Sequence, residues 1–171
     1  TTTATKNITV NARPTITFTA QAGASVCANT DVTYTTQSGQ SNYVWTVPGV
    51  LNTDYSITSG GVGTSSNTVT LKWLTTGSKT VTVNYNNASG CSATSATSST
   101  ATTVNARPTV TFTAQAGASA CANTDVTYTT QSGQSNYAWT VPGVLNTDYS
   151  ITSGGTGTTN NTVTLRWLTT G

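Results

Sequence analysis

The sequence predicts an all-β protein made of tandem β-sandwich domains, with no helices. Three observations predict it. Apolar and hydroxyl side chains alternate with period two, turn residues punctuate the chain at short intervals, and residues 12–77 return as residues 106–171 with seven substitutions. Those substitutions are Ile16/Val110, Val26/Ala120, Val44/Ala138, Val62/Thr156, Ser65/Thr159, Ser66/Asn160 and Lys72/Arg166. A unit this long is the size of an independently folded domain rather than a short solenoid repeat.

The strands follow in chain order. Thr15–Thr19 places Ile16 and Phe18 on one face and threonines on the other, and Asp31–Thr36 turns Val32 and Tyr34 inward. Tyr43–Val47 presents Tyr43, Trp45 and Val47 together and Val44 outward, where Ala138 is an acceptable replacement. Asn67–Leu74 buries Val69, Leu71 and Trp73, Lys79–Tyr85 buries Val81, Val83 and Tyr85, and Ala101–Val104 closes the unit. Gln37–Gln40, Val47–Gly49, Ser59–Gly61, Thr76–Ser78 and Asn87–Gly90 are the turns between them. With Ile57, these inward residues form a core large enough for each copy to fold alone.

The repeat sets the domain boundaries. Residues 3–11 align with residues 97–105, so residues 1–11 are read as the last strand of a preceding repeat. Residues 12–105 form one complete sandwich, and residues 106–171 form a second repeat truncated before its final strands. The chain is thus expected to be a piece of a longer array. Only Asn105-Ala106-Arg107-Pro108 joins the two copies, and Pro108 stiffens that joint by fixing its own φ and extending Arg107.

Composition narrows the function classes. Charged residues make up 6% of the chain, six basic against four acidic, and there is no His, Met or Glu, whereas Thr occurs 44 times. A surface wetted by hydroxyls with few Lys or Arg cleavage sites suits an extracellular, protease-exposed β protein. A net charge of +2 makes no basic patch for nucleic acid, and no apolar run is long enough to span a bilayer. Each copy carries an early cysteine (Cys27, Cys121), and the complete copy adds Cys91. Two per copy fits a Cys27–Cys91 disulfide made in an oxidising compartment, with the partner of Cys121 outside the chain. Unpaired thiols are the alternative, because an ideal sandwich leaves the two positions at opposite ends.

No catalytic constellation is present, and an enzyme is not expected. Asp31, Asp54, Asp125 and Asp148 are isolated and sit beside turn residues, where Asp bonds backbone amides. Neither a metal nor any other cofactor is expected from so few ligands. Ser59–Thr64 lacks the Lys-Ser/Thr of a phosphate loop and reads as a hairpin turn with Val62 at its tip. Asn7-Ile8-Thr9 and Asn87-Ala88-Ser89 match the glycosylation acceptor pattern, which recurs by chance. Tyr55 and its copy Tyr149 are the candidate surface-binding aromatics. Lys72/Arg166 keeps a charge on an exposed strand face, as a repeated surface contact would.

The order Cys27, Tyr43-Val-Trp45-Thr-Val-Pro-Gly49, Val69-Thr-Leu-Lys-Trp73, Gly77-Ser-Lys-Thr-Val-Thr-Val-Asn-Tyr85 and Gly90-Cys91 resembles PKD-like, Ig-like repeats. It is most similar to those of very large secreted surface proteins of Bacteroidota, including adhesins of gliding species. Thr46-Val47-Pro48-Gly49 stands where the better-known pattern has an Asp-Phe-Gly-Asp type run. The resemblance implies surface display after export by a dedicated outer-membrane route of the type IX kind, and a stalk or adhesive role. Two functions follow: a stiff stalk displaying a distal adhesive region, or repeats that each bind glycans or surfaces weakly and act through avidity. The expected partners are other repeats of the same polypeptide and, in the second case, extracellular surfaces.

Overall fold

The computed structural model describes residues 3–61, 63, 65–155 and 157–170. Val62, its counterpart Thr156, and Thr64 therefore lie outside the described residues. Two compact units divide between Arg107 and Pro108. Every regular element among the described residues is a strand, as the alternation predicts.

In unit 1 the strands are β1 (Phe18–Ala20), β2 (Ser25–Cys27), β3 (Asp31–Thr36), β4 (Ser41–Thr46), β5 (Tyr55–Gly60), β6 (Thr68–Trp73), β7 (Gly77–Lys79), β8 (Thr82–Asn86), β9 (Thr97–Ser98) and β10 (Thr102–Asn105). One sheet runs β1-β3-β6-β5, all antiparallel. The opposing layer holds β4-β8-β9 and β2-β10-β7. Their central strands are the two broken arms of one hairpin, β7–β8 against β9–β10. The run Gly77–Asn86 breaks at Thr80-Val81, and the run Thr97–Asn105 breaks at Ser99–Ala101.

The core lies between the layers, where the sequence places it. Val32 and Tyr34 of β3 and Val69, Leu71 and Trp73 of β6 meet Val81 and Val104 from the second layer. Tyr34, Val69, Leu71, Trp73, Val81 and Val83 are fully buried, and Ile16, Tyr43, Val83 and Tyr85 form a second cluster toward one end. Val44 points outward, as its replacement by Ala138 suggests. Trp45 is half-buried and donates its indole N–H to Ser66 O at 2.9 Å.

The β5–β6 hairpin needs glycine at its corner. Gly60 and Gly61 take φ of 62° and 65°, and Gly61 N donates to Thr68 O at 2.8 Å. A Cβ on Gly60 would strike the Thr68 carbonyl oxygen. Ser59–Gly61 has the composition of a turn, but the strand continues to Gly60.

Unit 2 repeats one layer only: β11 (Phe112–Ala114), β12 (Asp125–Thr130), β13 (Tyr149–Gly154) and β14 (Thr162–Trp167), in the order β11-β12-β14-β13. Its register matches unit 1, with Tyr128 opposite Val163 as Tyr34 is opposite Val69. Residues 135–140 match β4 in sequence apart from Ala138 but form no strand. In unit 1, β4 is held by β8, whereas residues 135–140 pair with no strand among the described residues. Near-identical local sequence thus yields a strand where a neighbour completes its ladder.

Candidate functional site

The polar residues singled out from sequence serve the scaffold. Asp54 Oδ2 accepts from Val50 N at 2.8 Å, and Asp148 Oδ2 accepts from Val144 N at 2.7 Å, each closing a turn. Asp31 and Asp125 lie opposite Lys72 and Arg166 on adjacent strands. Lys72 Nζ is 3.7 Å from Asp31 Oδ2, and Arg166 Nε donates to Asp125 Oδ1 at 2.8 Å. The hydrogen bond and the charge of Asp125 both raise the Arg166 pKa. The Lys72/Arg166 exchange thus preserves a cross-strand ion pair within each unit. No group of three His, Cys, Asp or Glu side chains that could hold a metal occurs among the described residues.

The aromatic candidates lie against the core. Tyr55 is half-buried, with its ring 6.1 Å from that of Trp73 in an edge-on contact. Tyr149 is buried and stands 6.0 Å from the Trp167 ring. Asn87 of the acceptor pattern is engaged through its side chain, accepting from Ser89 N and Cys91 N and donating to Ala12 O.

The expected Cys27–Cys91 pair is not formed, and both residues are free thiols. Cys27 is in register with Asn105 at one end of the unit, whereas Cys91 O accepts from Asn87 N beyond the far end of β8. The run from Gly77 to Asn87 separates those ends, roughly 30 Å at ~3.3 Å per residue. A disulfide needs Cα atoms within about 7 Å. The loops do not double back, so the ideal sandwich layout prevails. Cys121 is also a free thiol.

What the structure brings together instead is the beginning and the end of unit 1. Asn87 Nδ2 donates to Ala12 O at 2.9 Å, and Arg13 Nη1 donates to Ser92 O at 2.8 Å. Thr97 Oγ1 donates to Ile16 O at 3.2 Å, and Thr100 N donates to Gln21 Oε1 at 2.9 Å. Thr102 Oγ1 reaches Gly23 O and Thr103 N reaches Ala24 O, both at 2.9 Å. β2 and β10 then pair in parallel, and Ala28 N donates to Asn105 O at 2.8 Å. Finally, Arg107 Nε donates to Ala28 O at 2.7 Å, with Nη2 at 3.4 Å from both Asn29 O and Thr30 Oγ1. Residues 12–28 are thus laced to residues 87–107 along the whole length of the unit.

Comparison with known proteins bears on this architecture. The family described as PKD-like domain matches residues 12–101, more than half of the chain. The chain belongs to the PKD-like domain family. Among solved structures it is similar to the D0-D1 domain of Intimin, at 20% identity over 90% of this chain and 87% of that one, with a TM-score of 0.37. It is also similar to surface layer protein SbsC, domains 4-9, at 22% identity, with a TM-score of 0.34. That match covers 90% of this chain and 26% of the other, so the chain spans about a quarter of its length. No curated protein matches the chain.

The lacing of the PKD-like unit escaped sequence reasoning because it has no apolar period. It is built from Thr, Gln, Asn and Arg side chains bonding to distant backbone, and such residues look like ordinary surface. The one available signal was Arg13-Pro14 recurring as Arg107-Pro108 at both ends of the unit.

Proposed function

We propose that the chain is a stalk segment of a large cell-surface adhesin, in which each PKD-like unit carries tension between its two ends. The seam between residues 12–28 and 87–107 carries this reading. β2 and β10 run side by side in the same direction. Tension pulls the chain entry and the chain exit apart along the strand axes, so it loads their cross-strand bonds in shear. Several bonds must then yield together, which resists force better than opening a hairpin one pair at a time.

The finer features of the proposal rest on sequence. Abundant threonine, few charges and the resemblance to giant surface adhesins of Bacteroidota support export to the cell exterior by a type IX route. The short joint Asn105–Pro108 supports a stiff array, because Arg107 is fastened to the unit it leaves. A distal adhesive region would then be held away from the cell.

Single-molecule pulling tests the proposal. Attachment through the chain ends should give unit 1 a high, sharp unfolding force. Attachment through Lys79 and Thr100, which separates β7 from β10 laterally, should give a much lower one. Equal forces in the two geometries would remove the basis for a tension-bearing role. The alternative, weak glycan binding by each unit, would require affinity on a glycan panel that is lost in Tyr55→Ala.

A further inference from the structure

We propose that the cysteines link consecutive repeats rather than the two ends of one: Cys27 of a unit forms a disulfide with the residue of the following unit that corresponds to Cys91. The link follows from the repeat and from contacts inside unit 1, and it does not require a tension-bearing role.

The sequence Asn-Ala-Arg-Pro stands at both ends of unit 1, as residues 11–14 where the chain enters and as residues 105–108 where it leaves. Each occurrence has a cysteine beside it. At the exit, Cys27 is in parallel register with Asn105, and Ala28 N donates to Asn105 O at 2.8 Å. At the entrance, Cys91 Sγ lies 3.8 Å from Asn11 O. Asn11 and Asn105 are counterparts in the repeat. One joint asparagine therefore has a Cys27 from the unit that ends and a Cys91 from the unit that begins.

The arginine of the joint makes the same assignment. Arg107 directs Nε to Ala28 O at 2.7 Å and Nη2 to Asn29 O and Thr30 Oγ1, all close to Cys27 in sequence. Its counterpart Arg13 directs Nη1 to Ser92 O at 2.8 Å, next to Cys91. The two sets use different nitrogens of the guanidinium fork, so a single arginine can make both at once. It then gathers Ala28 of one unit and the Ser92 position of the next around one small planar group. Their chain neighbours, Cys27 and the Cys91 position, come within the Cα separation of about 7 Å that a disulfide allows.

No such approach exists inside a unit, where Cys27 and Cys91 occupy opposite ends. Cys27 is exposed and Cys91 half-buried, so both thiols are open to oxidation. Exchange with an external low-molecular-weight disulfide closes the bond. Two S–H bonds break, one S–S bond forms between the units, and the oxidant leaves as two thiols.

The test compares the 171-residue chain with the same chain extended after Gly171 by a second copy of residues 78–105, which adds a counterpart of Cys91 to unit 2. Both are folded in the reduced state and oxidised while dilute with a glutathione mixture. Free thiols are then blocked with N-ethylmaleimide and the chymotryptic peptides mapped by mass. The expected result is one intramolecular disulfide in the extended chain, between Cys27 and the added cysteine, with Cys91 and Cys121 blocked. The 171-residue chain should form none. Cys27→Ser should leave every cysteine of the extended chain free, with thermal unfolding of the reduced protein unchanged because Cys27 is exposed. Oxidation in concentrated urea should abolish the preference. A bond from the added cysteine to Cys121, or from Cys27 to Cys91, would place the link within a unit and overturn the proposal. Free thiols throughout the extended chain, or the same pairing in urea, would overturn it equally.

Discussion

Ser99 repairs the ladder break beside it. Its own N–H donates to Val81 O at 2.8 Å, and its Oγ accepts from Val81 N at 3.0 Å. The register between the two long runs shifts by one residue here, since Thr82 pairs with Ser98 and Lys79 with Thr102. Without the hydroxyl, the fully buried Val81 would hold an unsatisfied N–H. Ser99→Ala should therefore destabilise unit 1 by about 1–3 kcal/mol, the cost of an orphaned buried donor. Denaturant titration followed by tryptophan fluorescence measures this.

Alkaline pH should weaken the second buried cluster, that of Ile16, Tyr43, Val83 and Tyr85. Burial raises the pKa of Tyr85 above its ordinary 10.0, and the neighbouring Tyr43 raises it further. The folded state then holds a proton that the unfolded state releases between pH 10 and the higher folded value. Stability is fully present below about pH 10 and falls as pH rises above it. Urea midpoints should be level from pH 8 to 10 and drop beyond, and Tyr85→Phe should flatten the drop.

The corner glycine makes a sharper claim. Gly60→Ala forces a side chain into φ of 62° and into the Thr68 carbonyl, so it should cost more than about 1 kcal/mol. Lys72→Ala removes a partly exposed ion pair and should cost less than about 1 kcal/mol. Thermal melts of the two variants side by side rank these effects.

Near-identical sequence should not mean equal stability. Residues 106–171 carry the same alternating strands as residues 12–77, yet Trp167 and Tyr128 are only half-buried. At low protein concentration, amides of β12 and β14 should exchange well before those of β3 and β6. Equal protection would show that one layer suffices.

This contrast explains how much of the fold could be read in advance. Asp31–Thr36 was legible to the residue because its alternation is uninterrupted and both ends are polar turns. Lys79–Tyr85 read as one strand but is broken at Thr80-Val81, where a bulge leaves no mark on an alternating pattern. β2 was missed: three residues with one inward side chain, Val26, carry no period. The disulfide was inferred from cysteine count, which is blind to the strand length between Cys27 and Cys91. Tyr55 was read as a loop aromatic because Asp54 precedes it, but its pairing with Trp73 turns the ring inward. The seam depends on which strands become neighbours, and that is a property of topology rather than of local pattern.

The most direct measurement of the central claim is the unfolding force of unit 1 pulled through its ends, compared between two variants matched in chemical stability. Thr102→Val cuts the seam bond to Gly23 O, and Leu71→Val trims the core away from the seam. A tension-bearing seam predicts a clear loss of force in Thr102→Val and little loss in Leu71→Val. Equal losses, tracking stability alone, would contradict it.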